Sequence, residues 1–139
     1  MLSFLFSKSQ PPESHHFYYL SLLKEDDDSW SIHGFWPQYS TTNYPTYCRQ
    51  VDFDITKLSK IIDKLNGIWY SKKEKNNLFW EHEWKKHGSC MFNKCDELSY
   101  FTTTLKLYYK AIEKDLPEKY YNSLSKTCLI PVNLNFEFI

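Results

Sequence analysis

Residues 79–90 read FWEHEWKKHGSC, and this stretch constrains the fold most because it gathers helix-forming, charged and aromatic residues in a short span. Its composition favours a helix, and Gly88 is suited to the left-handed turn that closes one. Each helical residue advances about 100°, so four polar side chains fall within a face about 140° wide: His82, Glu83, Lys86 and His87. Trp80 and Trp84 flank that face, which predicts a packed helix whose polar groups face a cleft.

Two other interpretations of this polar face are open. A lone His-Glu pair at helical spacing is commonly surface decoration, although the flanking tryptophans argue against a fully solvated helix. A zinc hydrolase motif instead places two histidines at i and i+4, with a Glu between them, so that both rings reach one metal. Here the spacing is His82 to His87, and the two rings diverge by about 140°. We therefore expect no metal and no cofactor.

The length and composition indicate the class of protein. The 139 residues suit one domain, expected to span 1–139, with residues 1–14 as an irregular lead-in. The 11 Tyr, 10 Phe and 5 Trp predict a core and cleft lined with rings. The formal net charge is zero, so any nucleic-acid contact should be local. No segment is apolar enough over sufficient length to span a membrane.

The cysteines point to an oxidising compartment. The chain has four of them, without the spacing of a zinc site, so two disulfides are expected. The first residues, 1–8, lack both a basic leader and an apolar run long enough for a signal peptide. We expect either that a leader has been removed or that the protein reaches such a compartment by another route.

The apolar pattern predicts an α+β fold with an antiparallel sheet packed against several helices. A first strand is expected over 17–23, followed by an acidic turn over 24–28. A second strand starts at Trp30 and ends near His33, which stands beside a Gly that lets a ligand or another backbone come close. A lone His at such a position is more often structural than catalytic. Residues 132–138 alternate strictly, which predicts a last, half-buried strand.

Two further helices are expected around the central one. Asp54 can cap a helix that closes at residues 66–67, and its apolar side follows helical spacing: Leu58, Ile61, Ile62 and Leu65. Asp96 can cap a longer helix ended by Pro117, whose buried side is expected to comprise Leu98, Phe101, Leu105, Tyr108, Ile112 and Leu116. Three lysines precede the central helix: Lys72, Lys73 and Lys75. They could contact a phosphate chain, but we expect them to be solvated.

Two separate motifs, in this order, resemble the active-site signatures of the ribonuclease T2 family: WSIHGFWP at 30–37 and FWEHEWKKHGSC at 79–90. The resemblance extends more loosely from about residue 17 to the last strand. It implies a metal-independent endoribonuclease that cleaves single-stranded RNA through a 2′,3′-cyclic phosphate to 3′-phosphate ends. DNA would be spared because the nucleophile is the ribose 2′-OH.

The resemblance also implies catalytic roles by position. His87 would be the general base that takes the 2′-OH proton, and His33 the general acid that protonates the leaving 5′-oxygen. His82 would bind the phosphate, while Glu83 and Lys86 would stabilise the pentacovalent phosphorane. Two imidazoles can hold opposite protonation states at mildly acidic to neutral pH, which agrees with this division.

Base contacts and disulfides follow from the same resemblance. Trp36, Tyr44 and Phe79 match positions that stack on bases, which implies low base specificity. Relatives often have an acidic residue where this chain has Gln38, and the first strand lacks the Gln-Trp-Pro of many relatives, so a second base subsite is altered or absent. Cys48–Cys90 matches the family's central disulfide, and Cys95–Cys128 would be the second by subtraction.

The family resemblance implies single-stranded RNA as the only macromolecular partner, with no DNA and no membrane, and a monomeric protein. It also implies a secreted, vacuolar or endolysosomal location. An alternative from another class is an RNA-binding or signalling protein that kept the fold but lost turnover. All five catalytic positions hold the expected residue types, which favours an enzyme.

Overall fold

A computed structural model describes residues 15–139, and it has the expected α+β architecture. Four strands form one antiparallel sheet in the order β2-β1-β4-β3. They are β1 (Phe17–Lys24), β2 (Trp30–Gln38), β3 (Tyr121–Asn122) and β4 (Thr127–Val132). The helices are α1 (Ile62–Ile68), α2 (Asn76–Lys86), α3 (Glu97–Glu113) and α4 (Leu116–Lys119), with 3-10 segments at Ile55–Ile61 and Gly88–Cys90.

The sheet buries one face and leaves the other accessible. In β1 the alternate residues Tyr18, Leu20 and Leu22 are fully buried, as expected for a strand that packs one side against helices. The predicted acidic turn joins β1 to β2, where the Glu25 N–H donates to the Ser29 carbonyl at 2.8 Å. The open face of this sheet forms part of the cleft described below.

A bulge interrupts the pairing of β1 with β2 at His33. Ser21 lies opposite Gly34 and Leu22 lies opposite Ile32, so His33 is the extra residue of β2. The buried residues Ile32 and Phe35 are consequently three positions apart rather than two. An extra residue changes the direction of a side chain locally, and here it leaves His33 only partly buried, at the edge of the core.

The predicted 54–67 helix is present but is divided into two types of helix. Asp54 accepts a hydrogen bond from the Thr56 N–H at 3.0 Å, which confirms it as the cap of the first, 3-10 turn. Regular α-helix begins at Ile62 and continues to Ile68, past the expected closure at 66–67. Leu58 and Leu65 are fully buried, so the core role predicted for this segment is confirmed.

The central helix α2 begins at Asn76, three positions before the motif, and ends at Lys86. The left-handed turn expected at Gly88 is wrong, since no glycine in residues 15–139 has a positive φ and Gly88 opens the 3-10 segment. A Cβ atom at Gly88 would lie 2.2 Å from Cε3 of the Trp84 ring. Glycine is therefore needed for close packing on Trp84.

Helix α3 starts as expected but buries a different set of residues. The Asp96 carboxylate accepts from the Ser99 N–H at 2.8 Å and caps it. Leu98 and Ile112 are exposed, which contradicts the expected buried side, whereas Phe101, Leu105 and Tyr108 are buried. The buried stripe is wider than the sequence spacing implied, because Tyr100, Thr104, Leu107 and Ala111 also face the core. The helix ends at Glu113, and Pro117 lies in the first turn of α4.

The strand expected over 132–138 is wrong, since β4 ends at Val132. The Asn133 side chain accepts from the N–H groups of Asn135 and Glu137, at 2.9 and 3.0 Å, and Phe136 has a φ of 61°. Asparagine bonds of this kind compete with strand pairing. Only an isolated bridge between Val132 and Phe138 remains of the expected strand.

One of the two expected disulfides is present. Cys48 and Cys90 are joined, whereas Cys95 and Cys128 are free thiols, so the expected second disulfide is wrong. Cys128 is buried in β4 opposite Leu22 and Tyr121, while Cys95 stands just before α3, where its carbonyl accepts from Arg49 at 3.2 Å. The strand pairing and the helix start thus hold the two thiols in different parts of the fold.

Two further expectations concern the chain as a whole. The lead-in expected over 1–14 lies outside the described residues. Within residues 15–139, no helix has both the length and the apolar character needed to cross a membrane.

Candidate active site

A cleft runs along the open face of the sheet beside α2 and consists of two adjoining cavities. The larger has a volume of about 500 Å³ and the smaller about 340 Å³. His33, His82 and Glu83 line both cavities and mark their junction. Lys86 and His87 line the smaller cavity. The structure therefore brings all five predicted catalytic residues to one cleft.

Strand β2 contributes His33 through its bulge, and the imidazole is partly buried between aromatic rings. Its ring centroid lies 5.0 Å from that of Trp36 and 6.5 Å from that of Phe79. Burial lowers the pKa of His33, and the positive charge of Lys73 lowers it further. His33 therefore releases a proton more readily than an exposed histidine, as a general acid must.

Trp36 lies between the imidazoles of His33 and His87. Its ring centroid is 5.3 Å from that of His87 as well as 5.0 Å from that of His33. The indole Nε1–H donates to Oε1 of Glu83 at 2.9 Å. Sequence reasoning predicted a base-stacking role for Trp36, but these contacts show that it also positions three of the expected catalytic groups.

Glycine at position 34 permits the contact between Trp36 and Glu83. A Cβ atom there would lie 2.1 Å from Trp36 Nε1 and 2.2 Å from Glu83 Oε1. Both separations are shorter than nonbonded atoms tolerate, so any larger residue would displace one of the two side chains. The Gly of the first motif is explained by this close approach, and not by a left-handed backbone.

Helix α2 places Glu83 at the bottom of the cleft. The side chain is 5% exposed, and its Oε2 lies 4.0 Å from Nε2 of His82. Burial raises the Glu83 pKa to about 7, although the Trp36 hydrogen bond and the charge of Lys86 oppose this shift. His82 is 47% exposed, so its ring stands at the rim, where it can meet a ligand.

His87 follows α2 and is buried beneath the cleft. Burial lowers its pKa to about 3, and the neighbouring charges of Lys86, His82 and His33 add to the shift. Its Nδ1 is buried and has no hydrogen-bond partner within residues 15–139, which also disfavours the protonated ring. His87 is consequently neutral over most of the pH range and available as a proton acceptor.

The loop over residues 39–50 covers His87 and is fastened to the end of α2. The Tyr47 N–H donates to the Lys86 carbonyl at 2.9 Å, and the Cys48 N–H donates to Ser89 Oγ at 3.0 Å. The Cys48–Cys90 disulfide adds a covalent link. This attachment holds Tyr44, which is 49% exposed, with its ring centroid 6.5 Å from that of His87.

The other residues predicted to contact bases differ in their accessibility. Phe79 is partly buried and lines the larger cavity, whereas Tyr44 lines the smaller one. Gln38 also lines the smaller cavity but is 4% exposed, and its Nε2 donates to the Ser40 carbonyl at 2.8 Å. One of its two amide N–H donors is thus engaged by the loop that follows β2.

Several cleft residues were not predicted from the sequence. Tyr19 and Leu129 line the smaller cavity from adjacent strands, and Tyr70 and Lys126 line the larger one. The period-two alternation of β1 placed Tyr19 on the face opposite the core, which is the signal that would have found it. Lys73, for which solvent was expected, also lines the larger cavity.

Among residues 15–139, no group of three or more His, Cys, Asp or Glu side chains is arranged to hold a metal ion. His82 in α2 and His87 just after it differ in environment as well as in direction, since His87 is buried and His82 is exposed. The donors of a zinc hydrolase site are therefore not assembled in the part of the chain that the structure describes.

Comparisons with known proteins agree with the motifs. A sequence model described as the ribonuclease T2 family matches residues 8–135. Ribonuclease DdI of Dictyostelium discoideum is 36% identical over 89 residues, which cover 63% of this chain and 40% of that protein. Ribonuclease MC of Momordica charantia is 40% identical over 74 residues, covering 52% and 39%. The chain thus spans about two fifths of the length of these curated relatives.

Solved structures show the same fold. Ribonuclease MC1 from bitter gourd seeds superimposes with a TM-score of 0.61 and 27% identity, over 68% of this chain and 58% of that one. A point mutant of ribonuclease MC1, crystallised with 5′-GMP, superimposes with a TM-score of 0.72 and 20% identity, over 90% and 93%.

Proposed function

The chain belongs to the ribonuclease T2 family, and from that premise we propose that it is an endoribonuclease that cleaves single-stranded RNA. One observation carries the proposal. The acid, the base and the groups that bind phosphate, as the motifs assign them, line a single cleft whose two cavities meet at His33, His82 and Glu83. A scissile phosphate at this junction would have a nucleotide on either side.

The proposed reaction is transphosphorylation. His87 takes the proton of the 2′-OH, the 2′-oxygen bonds to phosphorus, and the bond from phosphorus to the 5′-oxygen breaks. His33 gives its proton to that leaving oxygen, and a 2′,3′-cyclic phosphate remains. Hydrolysis to a 3′-phosphate then uses water in place of the departed nucleoside. His33 acts as the base and His87 as the acid, because the second step reverses the first.

The protonation states of the two histidines support this division. His87 is held neutral by burial and by the positive charges around it, which suits a base. His33 has a lowered pKa, so its imidazolium is a stronger acid than usual. Each group of this kind contributes roughly 10²–10⁴ to the rate.

The remaining residues of the polar face act on the phosphate. Lys86 lies beside the junction and provides a fixed positive charge where the phosphorane gains negative charge. His82 is exposed at the rim and donates to a phosphate oxygen when protonated. Glu83 accepts a hydrogen bond from the Trp36 indole and fixes its position. The indole in turn positions the two imidazoles that pack against it. The proposed reaction needs no metal, because these side chains provide the acid, the base and the charge.

Base recognition is proposed to be weak. Phe79 and Tyr44 offer aromatic surfaces on opposite sides of the junction, and stacking tolerates any base. Gln38 uses one of its two amide N–H bonds on the Ser40 carbonyl and is buried, so little of its side chain is available to read a base. DNA lacks the 2′-OH nucleophile and is not a substrate in this proposal.

We also propose a cellular location and an oligomeric state. The Cys48–Cys90 disulfide supports an oxidising location, either secreted or endolysosomal and vacuolar. The cleft is complete within one copy of the chain, which supports a monomer acting on RNA without a membrane or a protein partner.

The test is cleavage of a single-stranded RNA in EDTA over a pH series, beside His33→Ala and His87→Ala. We expect cleavage by the parent protein and its loss in both variants. The value of kcat/KM should rise with pH through the His87 pKa of about 3. It should fall again as His33 loses its proton, below the ordinary histidine pKa of about 6.5. Intact RNA at every pH, with folded protein, would leave a binding protein as the explanation.

A further inference from the structure

The positions of the imidazoles fix the direction in which RNA would lie along the cleft. This step rests on the proposed function. The base must reach the 2′-OH of the nucleotide on the 5′ side of the scissile phosphate, and His87 lines the smaller cavity and not the larger one. The acid must reach the leaving oxygen, and His33 also lines the larger cavity. The leaving nucleotide therefore occupies the larger cavity, beside Phe79.

The larger cavity carries four ammonium groups, two of which have partners. Lys24 Nζ lies 3.2 Å from Glu118 Oε1, and Lys72 Nζ lies 2.7 Å from Glu25 Oε1. The other two are Lys73, before α2, and Lys126, before β4. Neither has a carboxylate within the 4.0 Å of an ion pair in the described part of the chain. Two separate segments thus bring ammonium groups without an ion-pair partner to one cavity, which the carboxylate of Glu74 also lines.

Each of these lysines has a second feature that links it to the site. The charge of Lys73 reaches the imidazole of His33, whose pKa it lowers, so this ammonium lies on the side of the leaving nucleotide. Lys126 has a φ of 58°, a left-handed conformation that a lysine rarely adopts. Its backbone is held there by bonds to Asn122 and Lys24, at 2.8 and 3.0 Å. Backbone strain of this kind is concentrated at functional positions.

We propose that Lys73 and Lys126 bind the phosphate on the 3′ side of the leaving nucleotide, so that the protein favours RNA longer than a dinucleotide. The cavity volume of about 500 Å³ accommodates a nucleotide. A phosphate beyond that nucleotide would meet the two ammonium groups. Binding there holds the leaving group in line with the acid, so its effect appears in kcat/KM.

The acidic turn limits this site to one additional phosphate. Asp26 and Asp28 line a depression that adjoins the larger cavity and shares Lys126 with it. A second phosphate placed further along would approach these carboxylates, and like charges repel. The increase in kcat/KM on lengthening the RNA therefore ends after one additional phosphate.

The experiment uses the dinucleoside monophosphate that the protein cleaves best, in three further forms. One has a 3′-terminal phosphate, one has a 5′-terminal phosphate, and one is longer by a further 3′ nucleotide and its phosphate. At low salt we expect the 3′-phosphate to raise kcat/KM about threefold to fivefold. The 5′-phosphate should bring no such gain, and the longer form should add little. The gain should disappear at about 1 M salt, where screening is strong.

Variants identify the lysines responsible. In Lys73→Ala/Lys126→Ala, the ratio of kcat/KM with and without the 3′-phosphate should fall to about one. Lys60→Ala/Lys106→Ala is the matched control, since both of these lysines are exposed and neither lines the cleft, and its ratio should match that of the parent protein.

The outcomes separate the two proposals. Equal kcat/KM with and without the 3′-phosphate, a gain retained in the Lys73/Lys126 variant, or a gain from the 5′-phosphate instead would overturn this inference while the ribonuclease function stands. A folded parent protein that cleaves neither dinucleotides nor longer RNA would remove the function and this inference together.

Discussion

At the scale of single residues, the site depends on two titrating groups whose pKa values are shifted in opposite directions. Burial raises the pKa of Glu83 to about 7 and lowers that of His87 to about 3. Both groups are consequently neutral near pH 5, although each would be charged there in the unfolded chain. The folded site therefore avoids two buried charges at the pH where the proposed reaction is fastest.

This pair predicts opposing pH dependences of stability. The His87 pKa is lowered on folding. Its contribution to the free energy of unfolding is therefore full above about pH 6.5 and is lost as the pH falls. The Glu83 pKa is raised on folding, because the charged carboxylate is unfavourable when buried. The free energy of unfolding therefore increases as the pH falls from about 7 and Glu83 becomes neutral. In His87→Gln the free energy of unfolding should rise by about 2 kcal/mol from pH 6.5 to 4.5, relative to the double variant His87→Gln/Glu83→Gln.

Urea unfolding at a series of pH values measures this effect. Glu83→Gln should show the opposite trend, a loss of about 2 kcal/mol over the same interval. In the parent protein the two contributions nearly cancel. Parallel curves for the two single variants would show that the buried pair does not titrate as described.

Gly34→Ala tests the contact between Trp36 and Glu83. The added Cβ would stand 2.1 Å from Trp36 Nε1, so the indole must move away from the carboxylate and from both imidazoles. We expect kcat/KM to fall by about 100-fold, because displacement by about 1 Å misaligns the acid and base. The lost buried hydrogen bond should also cost about 1–3 kcal/mol of stability.

The matched control is Gly67→Ala in α1, where a Cβ meets no atom within 4 Å. It should keep full activity and gain roughly 0.5–1 kcal/mol of stability, since alanine favours a helix more than glycine does. Steady-state kinetics and urea unfolding of both variants provide the comparison. Equal activities would mean that the position of Trp36 is unimportant for turnover.

At the scale of elements, the proposed catalytic cleft is formed by α2, by the β2 bulge and by the loop over 39–50. Helix α2 was predictable because its polar face and its two tryptophans repeat at helical spacing. The bulge was not, since a strand with His33 reads as ordinary alternation until its pairing with β1 is known. Its only trace in the sequence is the three-residue spacing of Ile32 and Phe35, with Gly34 between them.

Other errors came from long-range pairing. The alternation over 132–138 resembles a strand, yet Asn133 forms local bonds that turn the chain there. The expected pairing of Cys95 with Cys128 rests on elimination alone, whereas strand register places Cys128 opposite Leu22, and both thiols are free. Leu98 and Ile112 fit helical spacing but are exposed, and the buried stripe of α3 extends instead to Tyr100, Leu107 and Ala111. Spacing within one element does not reveal which partner that element packs against.

The free thiols are themselves a prediction. Alkylation of the denatured, unreduced protein should label Cys95 and Cys128 and leave Cys48 and Cys90 unlabelled. Peptide mapping by mass spectrometry identifies the labelled positions. A protein with no reactive thiol would instead contain a second disulfide.

The Cys48–Cys90 disulfide closes a loop with a sequence separation of 42. Replacing both cysteines by alanine should lower the free energy of unfolding by about 4 kcal/mol, because the unfolded chain regains the entropy of that loop. It should also release the segment that holds Tyr44 over His87, so that kcat/KM falls. Urea unfolding and kinetics measure the two effects, with Cys95→Ala as the control that leaves the loop closed. Unchanged activity in the double variant would show that hydrogen bonds alone hold the loop.

At the scale of the whole molecule, charge is local rather than general. The net charge is zero, so RNA is not attracted from a distance, and positive groups matter only where they line the cleft. The sheet gives this cleft its floor, and α2 and the turn before β4 form its sides. The proposed substrate orientation thus follows from the arrangement of the entire fold, with the proposed base at one end of the junction and the proposed acid at the other.

The most direct test of the central claim uses DNA oligonucleotides that each contain one ribonucleotide, with one oligonucleotide for each base, incubated in EDTA. If the proposed mechanism is correct, the protein cuts each one only on the 3′ side of the ribonucleotide and leaves a 2′,3′-cyclic phosphate, which mass spectrometry identifies. The all-DNA strand stays intact, and His33→Ala and His87→Ala abolish the cut. Cleavage at deoxynucleotides, or loss of all cleavage in EDTA, would contradict a mechanism based on the 2′-OH and two histidines.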